Sequence, residues 1–236
     1  MISVDDAINR ITGSVGCLQS EVVHLAESHG RILATDVKAP TSHPPFNVSS
    51  MDGYAIKSKD TGKVPTILKK IGEVPAGDQF SGILKAGEAI RLFTGSRIPD
   101  GADTVVIQEN TKSDGDNVKI LKKSVVGDYI RLAGLDYNLG DVTLKAGQFL
   151  TPRAIGLLAS MNCPWVHVRR KPRIAILSTG NEIVMPGETL GPNQIVSANT
   201  HALAAAVKSY GGEAINLGVA RDDTTAIRTL AEKSKS

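Results

Sequence analysis

From Ile174 to Leu177 the chain is wholly apolar, and at Ser178 it turns to small polar residues that end in the carboxylate of Glu182. An apolar run so bounded, followed by helical periodicity, predicts a buried strand feeding a loop. The ligand site of such a unit is expected at the carboxyl end of the strand, where loop amides and helix N-termini point. Downstream, Ser197 to Tyr210 predicts an alanine-rich helix closed by Gly211 and Gly212, Glu213 to Val219 a second strand, and Thr224 to Lys233 a second helix. This β-α-β-α order predicts parallel strands with a right-handed crossover. A sheet with so few strands has open edges, so the last helix is expected to be the least ordered region, mobile toward Ser236.

The first half has a different texture. Val4, Ala7, Ile8 and Ile11 keep helical spacing behind Ser3 and Asp6, which together resemble a capping box, so a short amphipathic helix is predicted. A second helix is expected from Leu25 to His29, stopped at Gly30. Beyond Asp36 the prolines 40, 44 and 45 break regular structure. Strand candidates then follow at Val64–Ile71, Glu88–Thr94, Asp103–Glu109 and Asn117–Leu121, with a hairpin turn at Asp114-Gly115-Asp116. Thr151 and Pro152 supply an N-cap and a first helical residue for an apolar helix through Ile155, Leu157, Leu158 and Met161.

Helical ends thus flank a β-rich middle, and the simplest arrangement is an insertion. The fold class expected is multidomain α+β. Residues 1–40 with 127–170 would form a helical domain, 41–126 an inserted β-rich domain, and 171–236, after the basic hinge Arg169-Arg170-Lys171-Pro172, the start of a parallel α/β domain.

Composition narrows the function classes. A net charge of +3, from 27 basic and 24 acidic residues, with no basic stripe interleaved with aromatics, argues against nucleic acid as a partner. Two cysteines, Cys17 and Cys163, lie far apart and outside any metal-ligand spacing, which fits a reducing compartment. The first six residues lack the basic and apolar regions of a signal peptide, and no apolar run approaches the roughly 20 residues of a membrane helix. A cytoplasmic protein with no membrane partner is therefore expected.

Three segments could carry chemistry. Asp52 lies between Met51 and Gly53, where Asp-Gly taken alone reads as an ordinary turn. Arg91 to Glu109 is a strand, a loop with hydroxyls and two glycines, and a second strand ending in a carboxylate; such a loop suits an oxyanion, or is simply a turn. Glu182 and Asp222 follow the two parallel strands and are expected at one sheet edge. Two carboxylates so placed are costly neighbours unless a cation or donors relieve them, and Mg²⁺ with water and a substrate phosphate would do so. Asp222 has the competing reading of an N-cap for the last helix.

In this order the segments Met51-Asp52-Gly53-Tyr54-Ala55, Thr94-Gly95, Gly101 to Val106, Gln108-Glu109, Ile155 to Ala159 and Leu177 to Glu182 resemble the MoeA-type molybdopterin molybdenumtransferases, a family that includes the E domain of gephyrin. The resemblance implies insertion of molybdenum from molybdate into adenylylated molybdopterin, with Mg²⁺ and release of AMP. It implies Asp52, Thr94, Glu182 and Asp222 as catalytic residues, with Glu182 and Asp222 on the metal side. Ser178, Thr179, Gly180, Asn181, Gln194, Ser197 and Asn199 are implied as substrate-binding. A homodimer is implied, with Asp52 and Thr94 closing a site across the dimer cleft, as are partner proteins of the cofactor pathway.

Two positions depart from the family. It often has aspartate where this chain has Asn181, and a tyrosine-aspartate-serine run where it has Val196-Ser197-Ala198. The family also continues with a glycine-rich loop, lysines and a C-terminal β domain that these 236 residues do not contain. The chain is therefore expected to be C-terminally truncated relative to the family, to fold, and to be inactive alone. The competing class is a non-catalytic, gephyrin-like scaffold or a pterin- or nucleotide-binding module. A dinucleotide-dependent oxidoreductase is disfavoured because no G-x-G-x-x-G follows the strand at 173.

Overall fold

The computed structural model describes residues 2–233, with the side chain of Lys233 left aside; the expected mobility toward Ser236 concerns residues outside that range. The fold is mixed α/β. By contacts the chain divides into two compact units, Met1–Asp36 with Leu144–Ser236, and Val37–Thr143.

The unit Val37–Thr143 is built on a six-stranded sheet in the order Thr104–Ile107, Gly53–Ile56, Glu88–Leu92, Thr66–Val74, Asn117–Ile120, Thr111–Asp114. All neighbours are antiparallel except Thr66–Val74 and Glu88–Leu92, which run parallel. Alternation along the strands sends side chains to two separate cores. Tyr54, Ile56, Leu68, Val106, Val118 and Ile120 cluster in one, while Ala55, Val74, Leu84, Ile90, Leu92 and Val105 cluster in the other. A central strand buried on both faces must be apolar throughout, and Gly53–Ile56 is buried at all four positions. The hairpin turn at Gly115 forms as expected, with φ of 56° at the glycine.

This module is wider than the expected span of 41–126. Ile130–Arg131 pairs with Val48–Ser49, and Val142–Leu144 pairs with Val37–Lys38, so backbone hydrogen bonds tie the flanking residues to it. That last ladder also sets the two ends of the insertion side by side.

In the other unit the ends are joined by strands, which corrects the expectation that helices pack them together. Ser20–His24 runs antiparallel to Trp165–Arg169 in unbroken register. Neither strand was expected from the sequence: Ser20–His24 carries a single apolar pair, and in Trp165–Arg169 the alternation of Val166 and Val168 with His167 and Arg169 runs for only a few residues. Arg31, nearly buried, binds the Glu21 carboxylate and donates to the carbonyl of Arg169 at 2.7 Å, clamping this ladder.

The expected helix at Leu25–His29 is a single 3-10 turn, Leu25–Glu27. Its continuation is cut off because the Gly30 amide, at φ of 76°, donates to Leu150 instead of back along a helix. The first helix spans Val4–Ser14 and is capped as expected, the Ser3 hydroxyl accepting from the Asp6 amide at 3.1 Å. The helix Pro152–Ser160 starts behind Thr151, whose hydroxyl accepts from the Ala154 amide at 3.3 Å. It buries Ala154 and Leu158, with Met161 buried just beyond.

Arg173–Thr179 and Glu213–Ala220 pair in parallel, with the helix Asn199–Ser209 between them in sequence and Thr224–Lys233 after them. The intervening loop adds a short parallel pair, Ile183–Val184 with Ile195–Val196. Among the described residues no helix is long and apolar enough to cross a membrane.

Candidate functional site

The candidate residues fall in both units. In the β-rich unit Asp52 is not the turn that its Asp-Gly dipeptide suggests. Gly53 opens the central strand, and a Cβ there would lie 2.2 Å from the Val106 carbonyl oxygen, so only glycine permits this approach. The Asp52 backbone is held by the Gln108 amide, which donates to its carbonyl at 3.0 Å.

The carboxylate of Asp52 accepts from the Thr94 amide at 2.8 Å and from the Thr94 hydroxyl at 2.9 Å. These bonds favour the charged form. The Thr94 amide chiefly, then its hydroxyl, and least the nearby Arg91 charge hold its pKa below the ordinary value against an opposing desolvation.

Thr94 is presented by a tight turn whose other amides are already satisfied. The Gly95 amide donates to Ser49 and the Ser96 amide to Phe93, while the buried Ser96 hydroxyl donates to Val74 at 2.7 Å. Gly101 has φ of 92°, and a Cβ there would lie 2.5 Å from the Leu84 carbonyl oxygen, so the turn requires glycine. Of the two readings of the 91–109 segment, the turn accounts for these residues, and Thr94 is left as the one that meets a candidate carboxylate.

Arg91, in the same segment, is a residue that sequence reasoning missed. Its guanidinium lies 5.2 Å from the ring centres of both Tyr54 and Phe93 and donates to the Gln108 amide oxygen at 2.8 Å. An open cavity of about 330 Å³ is lined by Tyr54, Arg91, Gln108, Glu109, Thr111 and Ser113. The sequence signal was an arginine two residues before a phenylalanine on a strand, which becomes meaningful only once Tyr54 is placed opposite by register.

In the other unit the parallel register sets Thr179 beside Ala220, so the loops carrying Glu182 and Asp222 leave the same end of the strand pair. The Asn181 side-chain oxygen accepts from the Asp222 amide at 3.3 Å, linking the two loops directly. Gly180, at φ of 146°, leaves room for the Glu182 carboxylate, whose oxygen would sit 2.8 Å from a Cβ at that position. The N-cap reading of Asp222 fails. Asp223 takes that role, its carboxylate accepting from the Ala226 amide at 2.9 Å.

Several substrate-binding candidates are occupied within the fold. The hydroxyls of Ser178 and Ser197 both bond the buried Thr200 hydroxyl, at 2.6 Å and 2.9 Å. Gln194 closes its own loop by accepting from the Gly191 amide at 2.9 Å. Thr179, Asn181, Glu182, Asn199 and Asp222 are exposed. The helix begins at Asn199, two residues later than expected, because the Ser197 amide still donates to Val184 in the short parallel pair.

A β-rich module inserted in a chain that ends in a parallel α/β part, with an aspartate-threonine pair in the one and paired carboxylate loops in the other, defines a class of protein with known relatives. Residues 2–162 match the family described as MoeA N-terminal region (domain I and II), and residues 175–235 match the family described as Probable molybdopterin binding domain. The chain belongs to the MoeA family of molybdopterin molybdenumtransferases.

It is 40% identical to the molybdopterin molybdenumtransferase of Nostoc sp., covering 99% of this chain and 56% of that protein. Molybdopterin molybdenumtransferase 2 of Mycobacterium tuberculosis is 34% identical over 89% of this chain and 53% of its own length. The crystal structure of a molybdopterin biosynthesis MoeA protein from Pyrococcus horikoshii OT3 matches with a TM-score of 0.93 at 34% identity, covering 100% of this chain and 64% of that one. The chain spans about half the length of the curated relatives it matches.

Proposed function

We propose that this protein acts in molybdenum cofactor biosynthesis, in the insertion of molybdenum from molybdate into adenylylated molybdopterin with release of AMP. The observation that carries the reading is the succession in one chain of a MoeA N-terminal region, matched over 2–162, and a probable molybdopterin binding domain, matched over 175–235. On this reading residues 171–236 begin a molybdopterin-binding domain. Thr179, Gly180 and Asn181 line its loop, with Ser178, Gln194, Ser197 and Asn199 shaping the crevice from behind.

Glu182 and Asp222 would hold Mg²⁺, which supplies charge neutralisation for the substrate phosphates. The donor set suits that ion. Mg²⁺ is usually bound by one or two carboxylates with water and substrate phosphates, and the loops carrying these two carboxylates leave the same end of the strand pair.

The lowered pKa of Asp52 constrains its part. An aspartate held ionised by Thr94 is a poor proton donor near neutral pH, so its role is to fix charge and orient a donor. The oxygens that leave molybdate as sulfur takes their place must draw their protons from elsewhere.

The protein is further proposed to be a homodimer, with Asp52 and Thr94 completing the site across the dimer cleft. For the apolar surface of such a dimer the first helix is better placed than Pro152–Ser160, which buries Ala154 and Leu158 within the subunit. The first helix leaves Val4, Ile8, Ile11 and Val15 exposed on one side and buries no residue. Light scattering that reads a monomer at high concentration would count against the dimer.

The activity test supplies adenylylated molybdopterin, molybdate and Mg²⁺ to this chain and to a protein of its relatives' full length, each with Asp52 and with Asp52→Asn. A loss of at least about 100-fold in AMP release on substitution, in whichever protein turns over, supports the reading. Undiminished cofactor formation by the variant would overturn the role of Asp52, and no turnover by the longer protein would overturn the function.

A further inference from the structure

A cavity of about 380 Å³ lies away from the candidate residues, between the chain around Gly30 and Phe149, the basic run 169–172 and the end of the helix at Tyr210. A second, of about 390 Å³, adjoins it through Gly30, Phe149, Lys171, Tyr210 and Gly211 and extends to Lys208. Both belong to one compact unit. Each is of the size that takes a small molecule.

The walls have an unusual balance. Arg31, Arg169, Arg170, Lys171 and Lys208 line the two cavities, and no aspartate or glutamate does. Arg31 is committed to Glu21, and Arg169 gives one N–H to the Leu18 carbonyl at 3.1 Å. Among the described residues no ion pair neutralises Arg169, Arg170, Lys171 or Lys208. Cations gathered around one concavity repel one another, and a bound anion relieves that repulsion while the concave walls focus the field on it. Beside them stand two rings in water: Tyr210 is 91% exposed and Phe149 51%. Flat exposed rings beside unpaired cations suit a ligand with an aromatic face and a dense negative charge.

We propose that this paired cavity binds a nucleoside triphosphate. Its phosphates meet Arg170, Lys171 and Lys208, and its base lies against Tyr210. An inorganic polyphosphate would use the cations and leave the rings idle, and an acidic peptide would bring weaker charge density and no obligatory ring.

The test is calorimetric titration of ATP, tripolyphosphate and a short polyglutamate peptide into the whole 236-residue chain. The same titrations are run on Arg170→Ala with Lys171→Ala, and on Tyr210→Ala, all exposed positions, with circular dichroism confirming the fold of each variant. The expected results are ATP binding at least tenfold tighter than tripolyphosphate, a loss of at least tenfold for ATP in the double variant, and a loss in Tyr210→Ala confined to ATP. The proposal is overturned by any of five results: no ATP binding at millimolar concentration, equal binding of tripolyphosphate, tighter binding of polyglutamate, or ATP binding indifferent to the double variant or to Tyr210→Ala.

Discussion

Replacing Gly53 with alanine tests the strand that presents Asp52. The added Cβ would lie 2.2 Å from the Val106 oxygen, 2.9 Å from its carbonyl carbon and 3.0 Å from Ile107 Cα. All three are backbone atoms, so no side-chain rotation relieves the clash. The strand cannot simply retreat either, because Gly53–Ile56 is hydrogen-bonded to Glu88–Leu92 on one side and Thr104–Ile107 on the other.

Forced overpacking of this kind costs about 1–3 kcal/mol. Opening the Gln108 to Asp52 backbone bond to make room adds about 1 kcal/mol. We therefore expect Gly53→Ala to lose about 3 kcal/mol, and with a urea slope of about 2 kcal/mol per molar the unfolding midpoint falls by about 1.5 M. The assay is urea unfolding followed by circular dichroism, with attention to the transition of the β-rich unit. A midpoint lowered by less than about 0.3 M would refute the reasoning, since the strands would then have absorbed a methyl group between two backbones at little cost. The glycine before Tyr54 would need another explanation.

Thr94→Val removes the hydroxyl bond to Asp52 but keeps the amide bond, the larger of the two causes. The Asp52 pKa should rise yet stay below its ordinary value, as read by NMR titration. A depressed folded pKa stabilises fully above the unfolded value and less as pH falls through the folded one, so any advantage of Thr94 should fade below about pH 3.8. Thr151→Ala strips the hydroxyl cap from the helix at 152–160 and should cost about 1 kcal/mol by thermal or urea unfolding. Gly156→Ala, in the exposed middle of that helix with open space around it, should instead stabilise by about 0.5–1 kcal/mol in the same assay.

Much of the parallel part was legible in the sequence. Its strands, Arg173–Thr179 and Glu213–Ala220, are read from apolar runs, and a helix between two strands implies the crossover that makes them parallel. Caps were equally local: Ser3 and Thr151 each bond an amide three residues on, a contact that depends on no distant part of the chain. The order of the short motifs was enough to point to the family.

Tertiary structure decided what local pattern could not. Whether Asp52-Gly53 is a turn or a strand start depends on Val106, more than fifty residues away, whose carbonyl excludes a side chain at 53. The state of Asp52 depends on Thr94, forty-two residues on, and Arg91 gains its place only from rings that register brings beside it. Ser178 and Ser197 look like free hydroxyls in the sequence, yet the buried Thr200 engages both. The cations at 170, 171 and 208 line a common space only when the chain near Gly30 and the end of the helix at Tyr210 enclose it. Periodicity and capping are short-range properties carried by neighbouring residues, whereas charge, burial and close approach at a site are set by partners that only the folded chain assembles.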